Sequence, residues 1–204
     1  MRILYGTTNA AKLQAMQREL AKLNIEVIGL KDLGLPIPVV EETGRTLLEN
    51  AELKAKAYYA AFRMPVFSVD TGMYFENLPD NLQPGIHVRT IRGRVFTDEE
   101  MTAYYGELAK QYAPLTAYYK NGICLCMDGE RVYSRSDESM ESDRFLICPP
   151  SRPVRRKGFP IDAMSIDLKT GKHFYDLEES ITDKVAVQEG ILQFFNDLKE
   201  LKGE

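Results

Sequence analysis

The stretch "MPVFSVDTGMYF", residues 64–75, decides how this chain is read. Pro65 opens a short apolar run in which Val66, Phe67 and Val69 are spaced for a buried strand, and Asp70 follows directly. A carboxylate placed where a core strand ends calls for a reason. Thr71 and Gly72 read as a turn that ends the strand there. In a parallel sheet, strand ends and the loops that follow them share one rim, where ligands bind. Asp70 is thus expected at the rim of an α/β sheet.

The flanking segments support that sheet. "RILY" (2–5) reads as a first strand, and "NAAKLQAMQRELAKL" (9–23) carries Leu13, Met16, Leu20 and Leu23 at helical spacing. "IEVIGL" (25–30) is a second strand, followed by a Pro- and Gly-rich loop, residues 33–45. Thr46 with Glu49 three residues later forms a capping box that opens a helix running to about Phe62. The resulting order, βαβ-loop-αβ, is that of a sheet with crossover helices. Residues 76–94 read as an irregular loop, and Thr97 with Glu100 as a second capping box before "EEMTAYYGELAKQY" (99–112).

From residue 115 the pattern changes. "LTAYYKNGICLCM", a turn at Asp128-Gly129, "RVYSRS" and "DRFLIC" read as antiparallel strands. "PPSRPVRRKGFP" (149–160) is a basic loop kept irregular by proline. "AMSIDL", "KTGK" and "HFYDL" form another strand and turn. A last amphipathic helix is expected over residues 182–201, with Val185, Ile191, Phe194, Phe195, Leu198 and Leu201 apolar.

Composition narrows the function. A length of 204 residues favours one domain, residues 1–204, with a real core and room for two lobes. A net charge of −4 argues against a broad nucleic-acid-binding face. No apolar run approaches the roughly 18 residues needed to span a membrane, and "MRILYGTTNAAK" holds too short an apolar stretch for a signal peptide. Cys124 and Cys126 alternate along one strand and share a face, with no CxxC or HxH pattern nearby. Free buried thiols of a cytoplasmic protein are the plain expectation.

Two segments carry chemistry. "GTTNAAK" (6–12) joins the first strand to the first helix, with Asn9 placed to cap it and Thr7 and Thr8 supplying hydroxyls. Lys12 falls in the first helical turn, where the helix dipole disfavours a cation by some tenths of a kcal/mol; a bound anion reverses that preference. The segment is either a phosphate site or a plain capped helix with a solvated lysine. Its spacing is not GxxxxGK followed by Ser or Thr, which argues against a Walker-type NTPase. "EETG" (41–44) sets Glu41 and Glu42 before the second helix, either as solvated loop charges or, with Asp70, as oxygen ligands for Mg²⁺, which needs only one or two carboxylates when it travels with a polyphosphate. Lys54 lies one turn after Asn50 on the same helix face, as a surface lysine or a second phosphate contact.

"GTTNAAK", "EETGRTLLENAELKAKA" and "PVFSVDTG" together resemble, in order and near-spacing, the inosine triphosphate pyrophosphatase family, and Pro84-Gly85 with Arg89 is similar to that family's next loop. The match is strong over residues 1–93; Gly158 to Asp162 and Gly171-Lys172 extend it weakly. The resemblance implies an elongated α/β fold: a central mixed sheet with helices on both sides, two lobes flanking an active-site cleft, and a homodimer. It implies Mg²⁺-dependent hydrolysis of nucleoside triphosphates, of the non-standard purine type, to monophosphate and pyrophosphate. Carried over, Thr7, Thr8, Asn9, Lys12 and Lys54 would hold phosphates, and Glu42 with Asp70 the metal. Asp70 would orient or deprotonate the attacking water, and Thr71 and Gly72 would shape its turn. Phe159 would stack on the base and Asp162 line its pocket.

Three positions depart from the family pattern. Val69 stands where the family has the first of an acidic pair, Gly158-Phe159-Pro160-Ile161-Asp162-Ala163 replaces Gly-Phe-Gly-Tyr-Asp-Pro, and Thr182-Asp183-Lys184 replaces Ser-His-Arg. An ionised aspartate offers only acceptors to a base, so Asp183 and Lys184 imply an altered or relaxed base preference. Two other functions compete with triphosphate pyrophosphatase: a hydrolase of another phosphate anhydride that uses Arg155, Arg156 and Lys157, and a nucleotide-binding protein without turnover.

Overall fold

The structure is a computed structural model that describes residues 1–150, 152–154, 158–177 and 189–198. Among the described residues seven strands, β1 (Arg2–Tyr5), β2 (Glu26–Gly29), β3 (Val66–Phe75), β6 (Leu115–Cys126), β7 (Val132–Arg135), β8 (Phe145–Ile147) and β9 (Ser165–Asp167), form one mixed sheet in the order β2-β1-β3-β6-β8-β9, with β7 paired to β6. The chain divides into two compact units.

The first unit holds residues 1–71 and 120–141 with the C-terminal helix. Strand β1 (Arg2–Tyr5) pairs in parallel with β2 (Glu26–Gly29), Ile3 opposite Val27, and with β3 (Val66–Phe75), Tyr5 opposite Phe67. Helix α1 (Ala10–Ala21) makes the crossover from β1 to β2, and α2 (Leu47–Phe62) leads into β3. Strand β6 (Leu115–Cys126) pairs antiparallel with β7 (Val132–Arg135), Cys126 opposite Val132, across the expected Asp128-Gly129 turn.

Side chains alternate across a strand, and β1 shows the consequence. Ile3 and Tyr5 join a core with Met16 and Leu20 of α1 and with Ile191, Phe194 and Phe195 of α4 (Glu189–Asp197). Leu4, between them, joins Ala51, Ala55 and Tyr58 of α2 on the opposite face. Helices therefore cover both faces of this part of the sheet. Phe67 stacks on Tyr5 with ring centroids 4.4 Å apart and meets Phe195 edge-on. Cys124 and Cys126 face α2 together as free thiols, and burial pushes Cys124 up to about 12.

The second unit holds residues 72–119 and the described residues from Ser142 to Leu177. Its core gathers Met73 and Phe75 of β3, Met101, Tyr105 and Leu108 of α3 (Asp98–Gln111), and Phe145 and Ile147 of β8 (Phe145–Ile147). Strand β8 pairs antiparallel with β6 and with β9 (Ser165–Asp167). Both expected capping boxes form: Thr46 accepts from the Glu49 N–H at 3.1 Å, and Thr97 from the Glu100 N–H at 3.2 Å.

Two expectations need correction. Strand β3 does not end at Val69 but runs on to Phe75, so Thr71 and Gly72 are strand residues rather than a turn. Gly72 is needed for close approach: a Cβ there would lie 2.7 Å from the carbonyl oxygen of Gly85, whose backbone pairs with Met73. Residues 76–94 are not wholly irregular, since Thr90–Ile91 (β4) and Arg94–Val95 (β5) form a hairpin over Arg92-Gly93, both at positive φ. The last helix is described only as Glu189–Asp197, and the remainder of its expected span lies outside the described residues.

Candidate active site

Four segments of the first unit meet at Asp70. Strand β3 carries it three residues beyond Phe67, the last register partner of β1, where the chain after β1 has left the sheet for the 6–9 loop. Asp70 is 9% exposed, and its two oxygens are gripped by one face of α2. Lys54 Nζ donates to Oδ1 at 2.8 Å, and Asn50 Nδ2 donates to Oδ2 at 3.3 Å. Residues four apart on a helix stack on one face, so the Asn50–Lys54 spacing becomes a two-point clamp on one carboxylate.

The same lysine brings in the 41–44 loop. Its Nζ reaches Glu42 Oε2 at 3.2 Å and the Val69 carbonyl at 3.4 Å. The charge of Asp70 also acts on Glu42. Burial, reinforced by the charge of Asp70, holds the Glu42 carboxyl above its usual range against the pull of Lys54. The loop is anchored by the Gly44 N–H, which donates to Asn50 Oδ1 at 2.8 Å. A Cβ at Gly44 would fall 2.6 Å from that oxygen and 2.9 Å from the Asn50 backbone nitrogen, so the anchor requires glycine. Glu49 stays within its capping box.

The 6–12 loop supplies the other charge. Asn9 is the N-cap of α1, its Oδ1 accepting from the Ala11 and Lys12 N–H groups at 3.0 and 3.2 Å. Thr7 Oγ1 accepts from the Asn9 N–H at 3.2 Å, and Thr8 is exposed. Lys12 Nζ donates to Thr71 Oγ1 at 3.4 Å, a neutral and distant acceptor. Burial, with the nearby Lys54 ammonium, draws Lys12 below the ordinary lysine value; Asp70 and Glu42 oppose the shift. An ammonium held in this way, beside a second one, favours an incoming anion.

The site thus gathers Thr7, Asn9, Lys12, Glu42, Lys54, Asp70 and Thr71. Phe159 and Asp162 belong to the second unit, at the start of a 3₁₀ turn, Pro160–Met164, with Asp162 buried. Thr182, Asp183 and Lys184, and the basic run Arg155 to Lys157, lie outside the described residues. Two further polar residues belong to the site: Asn50, and Asn121 on β6, whose Oδ1 accepts from Thr71 Oγ1 at 2.7 Å. A buried polar side chain must be hydrogen-bonded, and "KNGICLC", with an asparagine opening an apolar run inside a strand, holds the signal for Asn121.

Among the described residues no cluster of three or more His, Cys, Asp or Glu forms a metal cage. Glu42 and Asp70 nevertheless suit a divalent cation. They are two hard oxygen donors brought close enough to repel one another, bridged by an ammonium. A Mg²⁺ ion that arrives with a polyphosphate needs only that many protein ligands.

Comparison with known proteins identifies the lineage. The Ham1 family profile matches residues 3–141, and the chain belongs to that family. A protein of Anaeromyxobacter dehalogenans named dITP/XTP pyrophosphatase is 38% identical over 87 residues, 43% of this chain and 36% of that protein. One of Leptospira interrogans with the same name is 28% identical over 182 residues, 89% of this chain and 88% of that protein. Against the A. dehalogenans and Aquifex aeolicus relatives the chain spans less than half of the partner's length, 36% and 40%. The Staphylococcus aureus Ham1 protein superposes with a TM-score of 0.74 at 21% identity, covering 99% of this chain and all of that one, a likeness of fold. The mixed α/β architecture is the family's own.

Proposed function

We propose that the protein hydrolyses nucleoside triphosphates, releasing the monophosphate and pyrophosphate. The observation that carries this reading is the pairing, in one unit, of a carboxylate couple, Glu42 and Asp70 joined through Lys54, with the Lys12 ammonium, which among the described residues is held by the neutral Thr71 hydroxyl and forms no ion pair. The lysines and the helix start supply charge for phosphates. Asp70, its carboxylate turned by Asn50 and Lys54, orients the attacking water and accepts its proton. Glu42 and Asp70 would hold Mg²⁺, which when bound neutralises phosphate charge and polarises the phosphoryl group. The names of the relatives, dITP/XTP pyrophosphatase, support the triphosphate class.

We extend the proposal to a cytoplasmic homodimer with one domain over residues 1–204. The family resemblance supports the dimer, and the free cysteines suit a reducing compartment. Among the described residues no helix is long and apolar enough to cross a membrane. Thr182-Asp183-Lys184, in place of Ser-His-Arg, favours weak base selectivity. The test is hydrolysis of ITP, XTP, ATP and GTP under one set of conditions with Mg²⁺. Pyrophosphate is the expected product, with kcat/KM for ITP or XTP less than about 100-fold above that for ATP, well short of full hydrogen-bond discrimination. Orthophosphate as sole product, or no turnover of any triphosphate, would overturn the reading.

A further inference from the structure

Lys12, Thr71 and Asn121 form a chain of hydrogen bonds with one polarity, and its far end is fixed. Asn121 is 2% exposed on β6. Its Nδ2 donates to the carbonyl of Met140 at 3.2 Å. A carbonyl can only accept, so the amide cannot flip, and Oδ1 must face Thr71. Thr71 Oγ1 donates its single proton to that oxygen at 2.7 Å. Only lone pairs of the Thr71 hydroxyl are then left toward Lys12, whose Nζ donates to it at 3.4 Å.

We propose that Asn121 is a positioning residue for phosphate binding, acting through Thr71 to hold the Lys12 ammonium in place with a neutral acceptor. The proposal rests on the reading of Lys12 as a phosphate ligand. A carboxylate in the place of Asn121 or Thr71 would neutralise the ammonium; a neutral acceptor of fixed direction anchors it and leaves it electrophilic toward an anion. Without Asn121 the Thr71 proton is released to other directions, including toward Lys12, and the anchor is lost.

The test is a double-mutant cycle read by binding of inorganic pyrophosphate and by steady-state kinetics, in the full chain. Asn121→Leu and Thr71→Val are each expected to weaken pyrophosphate binding about three- to tenfold, the scale of one net hydrogen bond, and to raise KM with kcat within about twofold, as loss of uniform binding requires. In the Thr71→Val background Asn121→Leu should add less than about 1.5-fold, because the link it acts through is gone. Asn121→Ser carries the same cycle if the leucine variant does not fold. Lys12→Ala separates the two claims. If it leaves pyrophosphate binding unchanged, the phosphate-site reading falls and this proposal with it. If it weakens binding while the Asn121 effect is absent, or persists undiminished beside Thr71→Val, Asn121 is a fold residue alone and the proposal is overturned.

Discussion

Lys54 donates to Asp70 across 2.8 Å, and the same ammonium reaches Glu42 at 3.2 Å. One lysine therefore compensates two carboxylates. Removing it leaves like charges face to face. Lys54→Met is expected to cost about 1–3 kcal/mol of stability, the lower side of the range for breaking a poorly solvated ion pair. Millimolar Mg²⁺ should recover more of the melting temperature in the variant than it adds to the wild type. Thermal melts with and without Mg²⁺ measure this; equal Mg²⁺ shifts in both proteins would show that the carboxylates do not share a cation.

Gly44 ties the Glu42 loop to α2 at the very atom, Asn50 Oδ1, that a Cβ would crowd at 2.6 Å. The neighbouring helix backbone cannot yield, so the loop must move. Gly44→Ala should lower stability by about 1–3 kcal/mol through overpacking. It should also reduce triphosphate turnover, since both Glu42 and the Asn50 amide lose their places. A variant with wild-type melting temperature and turnover would mean that the loop does not position the carboxylates.

Lys12 supplies a pH dependence with a definite sign. Burial and Lys54 lower its value from the ordinary 10.5. Between the lowered value and 10.5 the unfolded chain binds more protons than the native protein, so stability rises with pH across that window. Anion affinity does the reverse: it is present below the lowered value and is lost as Lys12 deprotonates. Pyrophosphate affinity should thus decline on the alkaline side before an ordinary lysine titrates, and Lys12→Arg should carry the remaining affinity to higher pH, because arginine stays charged. Superimposable alkaline profiles for the two proteins would contradict the assignment.

Much of this site was legible in the residues because it is built from local chemistry. Thr46 with Glu49, and Asn9 before Lys12, declare helix starts from a few neighbouring side chains, and the structure forms both caps. The length of β3 was not legible, since Thr71-Gly72 has turn composition; only pairing of Met73 with Gly85 shows that the glycine serves close approach instead. The roles of Asn50 and Asn121 are hidden in the sequence for a related reason. Their partners, Asp70 and Thr71, lie 20 and 50 positions away, and nothing in a single sequence announces a tertiary hydrogen bond. The spacing of Lys54 suits a phosphate contact or a surface lysine, and only the fold shows its pairing with two carboxylates.

Turnover of a triphosphate in oxygen-18 water, with the label located in the products, shows which phosphorus the water attacks. If Asp70 aims water at the α-phosphorus, each monophosphate gains one labelled oxygen and the pyrophosphate gains none. Asp70→Asn, which keeps the shape and loses the base, should slow the same reaction by about 10²–10⁴. Label in the pyrophosphate, or turnover in Asp70→Asn within about threefold of wild type, would contradict the account.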